Sequence, residues 1–212
     1  MLLTDPVQYA GAKASLVALE PRFAPVVQAH LTERYPQRET GFQGLVRAIA
    51  FQQISVAAGA TIWGRVEALV GAMNAQSVLK HDVEALKACG LSRPKARYVH
   101  AIAEAEVSGA LDFDRIETAS DADARAELVA VKGVGPWTAD IYLMFGLGRP
   151  DILPAADLGL QEGYRRLFGE EARPDADRLS GASEAWRPVR TVAALALWAY
   201  LNAEQGRQSG GV

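Results

Sequence analysis

The 212-residue sequence predicts an all-α fold. Three observations carry that reading. Residues that start and stop helices recur along the whole chain, and the strict apolar–polar alternation of half-buried strands is nearly absent. Near the C-terminus, Val192–Leu201 is apolar almost without interruption, the pattern of a helix buried on most sides. Taken in order, Asp82 can start a helix that stops at Gly90. Ser92 can cap one running to about Ser108 and ended by Gly109. Ser120, with Asp123 three residues on, begins another that runs through Val131. Gly133-Val134-Gly135 then interrupts an apolar run, and Pro136 opens the next one at a first helical position, where its missing N–H is no loss. Twenty residues after Trp137, Asp157 stands behind Leu153-Pro154-Ala155-Ala156 and ahead of a further helical pattern. No 20–50-residue repeat is present, and the Gly/Ser-rich tail 206–212 is expected to be disordered.

Composition bounds the function. Half the residues are hydrophobic, enough for the core of one domain or two small ones. No apolar run reaches the ~18–20 residues of a membrane helix, Thr191–Leu201 being core-sized. The N-terminus has no basic-then-apolar leader, so a cytoplasmic protein is expected. Cys89 is the sole cysteine, which excludes intrachain disulfides and a cysteine-ligated iron–sulfur cluster. His30, His81 and His100 are too scattered to suggest zinc. The net charge of −3 counts against nucleic-acid binding unless charge is unevenly distributed. Acidic residues concentrate at 104–127 and 170–184. Arg93, Lys95 and Arg97 cluster, as do Arg165 with Arg166 and Arg187 with Arg190. Each basic cluster reads either as a phosphate-facing groove wall or as a solvated face.

The stretch 128–163 resembles the helix-hairpin-helix DNA glycosylase superfamily, and within it the branch acting on alkylated bases (3-methyladenine, type II). Val131-Lys132-Gly133-Val134-Gly135 matches the hairpin, and Asp157 of the Asp-Leu-Gly-Leu string matches the catalytic aspartate. Three further segments resemble the same branch in family order: 48–66, with Gln52-Gln53 at a turn; 89–111, beginning Cys-Gly-Leu-Ser; and 183–201, with its Trp-Arg-Pro-x-Arg string. The resemblance implies two helical lobes, one built from 1–41 with 151–205 and one from 42–150 carrying the hairpin at about 128–146. Asp157 would then lie at the mouth of the cleft between them. It also implies a bacterial-type, nucleoid-associated protein acting on duplex DNA that contains alkylated bases; a monomer is expected, because a cleft that engages one duplex needs no twofold axis.

Site roles follow from that resemblance together with the residues' chemistry. Asp157 would stabilise the positive charge that develops on deoxyribose as the base departs, and would orient water. Asp ahead of a helix is also an ordinary cap, worth ~1 kcal/mol. Trp137 and Trp186 are candidate walls of the base pocket, because an indole face attracts a cationic methylated purine by ~0.5–2 kcal/mol. Either tryptophan reads equally as core. Gln53 would fill the gap left by an extruded base, while Gln52 reads as a satisfied amide. Lys132, Gly133, Val134 and Gly135 would hold a phosphate through backbone N–H groups at a helix start. No cofactor is required, although the carbonyls of Val129, Val131 and Val134 would be the ones to hold a monovalent cation (Na or K). Strand-cleaving relatives place a nucleophilic lysine two residues after the last hairpin glycine. Trp137 occupies that position, so simple hydrolysis is expected in place of Schiff-base chemistry. The alternatives are a hairpin module that docks on DNA without chemistry, and a glycosylase of this fold for oxidised or deaminated bases.

Overall fold

The computed structural model describes residues 2–206, and helix is the only regular secondary structure among them. The tail expected to be disordered lies outside the described residues, apart from Gly206 in the turn that ends the last helix. In chain order the helices are α1 (Pro6–Leu19), α2 (Ala24–His30), α3 (Gly41–Phe51), α4 (Val56–Val70), α5 (Ala75–Val78), α6 (Val83–Ala88) and α7 (Arg93–Val107). They continue as α8 (Phe113–Thr118), α9 (Asp121–Ala130), α10 (Pro136–Ile141), α11 (Leu158–Phe168), α12 (Ala176–Ser183) and α13 (Arg190–Glu204).

The helices form two compact units. One joins the chain up to Gln37 with the chain from Leu143 onward; the other is Arg38–Tyr142. Both cuts fall earlier than the 41/42 and 150/151 positions the resemblance implies. The reason for the second is burial. Leu143, Met144, Phe145 and Leu147 are core residues, and the segment is sewn to the N-terminal part. The Leu3 N–H donates to the Gly148 carbonyl at 2.8 Å, and the Tyr35 hydroxyl donates to the Met144 carbonyl at 2.6 Å.

Within the first unit, α13 is the hub. Thr191–Ala199 is buried on every side, and α13 packs against α1, α2 and α11. Its approach to α11 is so close that a Cβ on Gly163 would lie 2.6 Å from the Leu197 carbonyl oxygen, so only glycine fits there. Phe23, Tyr164, Phe168 and Trp186 form an aromatic cluster beside it, with Phe23 and Trp186 edge-to-face at 5.2 Å.

In the second unit, α3 packs against α4, α7 and α10, α7 also covers α5 and α6, and α9 packs against α8 and α10. Helix starts coincide with the short polar residues marked in the sequence. The Asp82 side chain accepts the Ala85 N–H, Ser92 that of Lys95, and Ser120 that of Asp123. Gly90 (φ +109°) and Gly109 (φ +76°) follow the ends of α6 and α7 in left-handed conformations. The Asp140 carboxylate, 3% exposed, accepts both Nε (2.7 Å) and Nη2 (3.0 Å) of Arg125, which clamps α10 to α9. After Ile141 the backbone widens into a π-helical turn at Tyr142–Gly146, where the chain leaves the second unit.

Candidate active site

Helix α9 ends at Ala130, and the chain reverses through Val131–Gly135 into α10. The Val134 N–H donates to the Val131 carbonyl at 3.0 Å and closes the turn. Gly133 sits at φ +96°, and a Cβ there would lie 2.2 Å from Cγ of Tyr98 on α7. Gly133 is therefore required both by backbone angle and by packing. Gly135 is different. At φ −82° it precedes α10, and a Cβ would meet nothing within 4 Å, so its face is open to an approaching ligand. Val134 must be removed from the set of expected phosphate holders: its N–H is consumed inside the turn and its side chain is buried. The N–H groups of Gly133 and Gly135 have no backbone acceptor among the described residues, and Lys132 is exposed beside them. Trp137 is half-buried at the start of α10. Of the three carbonyls expected to face a cation, that of Val131 already accepts the Val134 N–H. Among the described residues, no cluster of three or more His, Cys, Asp or Glu side chains is placed to hold a metal ion.

Gln52 and Gln53 follow α3. Gln52 Nε2 donates to Thr138 Oγ1 of α10 at 2.6 Å, so Gln52 is a tied amide. Gln53 is exposed and adopts φ +54°, the one non-glycine residue in the left-handed region among those described. Such a conformation costs on the order of 1–3 kcal/mol and persists only where neighbours impose it. Gln52-Gln53, Thr138 with its neighbour Trp137, and the hairpin all belong to the second unit.

Asp157 belongs to the first unit and caps α11. Its Oδ1 accepts the Leu160 N–H at 2.9 Å and the Trp198 indole N–H at 3.0 Å. The two donors come from different elements, so one carboxylate oxygen is fixed in direction as well as position. A side chain at Gly159 would come within 3.0 Å of Asp157 Oδ1 and 3.3 Å of Trp198 Cδ1, so the glycine keeps this corner clear. Trp198, buried on α13, stacks on Phe145 with centroids 6.2 Å apart. The sequence reading missed it, because inside an apolar run nothing local distinguishes it from core. Only the requirement that a buried indole N–H find an acceptor points to it.

Trp186 is corrected in the opposite sense. It is 2% exposed and enclosed by Phe23, Tyr164 and Phe168, a core position with no face for a base to stack on. Most residues of the basic clusters are committed internally, while Arg97 is exposed on α7. Arg165 and Arg166 bind Glu162, Arg187 and Arg190 bind Asp151 and Glu184, Arg93 binds Glu84, and Lys95 donates to carbonyls at the end of α3. Hydrogen bonds from Arg165 and Arg166 pull the Glu162 carboxyl down to about 2.

Two helices joined by a tight glycine hairpin, with a doubly held aspartate capping a later helix, place this chain among helix-hairpin-helix proteins. A family model described as HhH-GPD superfamily base excision DNA repair protein matches residues 46–188, and the chain belongs to that superfamily. It is 32% identical over 183 residues to DNA-3-methyladenine glycosylase 1 of Schizosaccharomyces pombe, a match covering 84% of this chain and 79% of that protein. The structure of DNA-3-methyladenine glycosidase from Bacillus halodurans superposes with a TM-score of 0.79 at 35% identity, covering 92% of this chain and 91% of that one. The S. pombe 3-methyladenine DNA glycosylase in complex with abasic DNA superposes at 0.78 with 30% identity, covering 89% and 95%.

Proposed function

We propose that this chain is a monofunctional DNA glycosylase that hydrolyses the N-glycosidic bond of alkylated purines of the 3-methyladenine and 7-methylguanine type in duplex DNA. The observation that carries the reading is the Asp157 carboxylate, aimed by the Leu160 and Trp198 N–H donors. As the bond from C1′ to the base breaks, positive charge grows on the sugar, and a carboxylate already held in place stabilises it without reorganising. A purine methylated at N3 or N7 departs neutral, so the reaction needs no general acid. Water adds at C1′, and its proton passes to Asp157 or to solvent, leaving an abasic site and free base. Trp137 offers the half-buried indole on which the extruded base stacks. Lys132 and the N–H groups of Gly133 and Gly135 hold a backbone phosphate, which gives binding without sequence preference. A monovalent cation on the carbonyls of Val129, Val131 and Val134 would screen that phosphate, and no step runs through it. The reading includes a monomer that works in the cytoplasm at the nucleoid; among the described residues, no helix is long and apolar enough to cross a membrane.

The test is release of free 3-methyladenine from methylated duplex DNA by the wild-type chain and by Asp157→Asn. The expected result is release by wild type and a loss of about a hundredfold or more in the variant, equivalent to roughly 2.7–4 kcal/mol of lost transition-state stabilisation. DNA binding by both proteins with no base released by either would overturn the alkylpurine assignment and favour a docking module or another lesion.

A further inference from the structure

Helix α3 ends without the glycine that commonly follows a helix. Its last carbonyls point towards the start of α7, where the Lys95 ammonium donates to the Ala50 carbonyl at 2.9 Å and to the Gln52 carbonyl at 2.5 Å. A cation at the negative end of a helix dipole also satisfies carbonyls that lack a partner within the helix. On the other flank, the Gln52 side chain is tied to Thr138 of α10. Gln53, the next residue, has no such tie of its own, and it takes the left-handed conformation at φ +54°. The turn is thus pinned on both sides and strained at Gln53, the first of its exposed residues.

We propose that Lys95 is a positioning residue for base extrusion: its ammonium holds the Gln52-Gln53 turn in the conformation that presents Gln53 to the duplex. This rests on the glycosylase reading and on Gln53 filling the vacated base position. The energetic logic is preorganisation. A plug already strained into place adds no ordering cost when the duplex opens, whereas a relaxed turn must be reordered at each extrusion. Partial burial lowers the Lys95 amine below the ordinary lysine value through desolvation. The two carbonyls stabilise the charged form against that cost.

The experiment measures single-turnover release of 7-methylguanine from two duplexes. In one the lesion is paired with cytosine; in the other it faces an abasic site, so that no pair must be broken. Lys95→Met, which keeps the apolar stem and removes the ammonium, is expected to slow the paired duplex about tenfold and the unpaired one by no more than about twofold. Lys95→Arg, which keeps cationic donors, should recover most of the loss. In a Gln53→Ala background Lys95→Met should cost little more, because both act on one step. Equal losses on both duplexes, or full additivity with Gln53→Ala, would show Lys95 to be merely structural and overturn the proposal. Full activity of Gln53→Ala on the paired duplex would overturn it through the plug itself. No release by wild type from either duplex would instead bring down the glycosylase reading.

Discussion

At the residue scale, two pairs of similar residues part company. Gly133 and Gly135 look equivalent in sequence, but only Gly133 has a left-handed backbone and a ring 2.2 Å from its absent Cβ. Gly133→Ala should therefore cost roughly 3 kcal/mol or more, strain and overpacking together, whereas Gly135→Ala should stay within about 0.5 kcal/mol; urea unfolding of the two variants checks this. Trp186 and Trp198 are the other pair. Trp198→Phe retains most of the ring's contact with Phe145 but removes the N–H held by Asp157. Base release should then fall by about tenfold or more, since a hydrogen bond to a charged group contributes ~1.5–3 kcal/mol. Glu162 yields a pH test. Its carboxyl titrates below its ordinary value, so its arginine pairs stabilise the fold above about pH 4.5, and that contribution fades as pH falls towards 2. The stability difference between wild type and Glu162→Gln should be largest near neutrality, small because the pairs are partly solvated, and gone by about pH 2.

At the element scale, the hairpin depends on a charge pair as well as on Gly133. Arg125→Met would leave the Asp140 carboxylate buried with its bidentate donor lost. A loss of about 2 kcal/mol in chemical unfolding is expected, with weaker DNA binding, while Asp140→Asn with Arg125 intact should cost less. This is also the scale at which the sequence is most legible. Ser92, Ser120 and Asp82 announce helix starts because a cap is a contact within three residues, and Gly90 and Gly109 announce stops for the same local reason. The all-α class follows from such signals. What escapes is every pairing made over distance. Asp157 with Trp198, Gln52 with Thr138 and Lys95 with the end of α3 each join residues dozens of positions apart. Nothing in a local pattern states which indole meets which carboxylate, so Trp198 goes unmarked, and nothing local tells that Trp186, expected as a wall of the base pocket, is enclosed by Phe23, Tyr164 and Phe168.

At the scale of the whole molecule, a net charge of −3 and the many arginines engaged by carboxylates reduce the cations available to phosphate. Backbone N–H groups bind phosphate without releasing counterions as a lysine does. The logarithm of DNA affinity should accordingly fall with the logarithm of salt at a slope of about −3 or shallower, measurable by fluorescence anisotropy. The topology has a temporal consequence as well. Arg38–Tyr142 is one continuous stretch with its own core, whereas the other unit closes around α13, the last helix of the chain. On the ribosome, α1 and α2 emerge well before α13 and meet that helix only when synthesis has reached Glu204. For most of translation their apolar faces have only each other and the turn between them to bury against, and the middle of the chain can fold before α13 completes their unit.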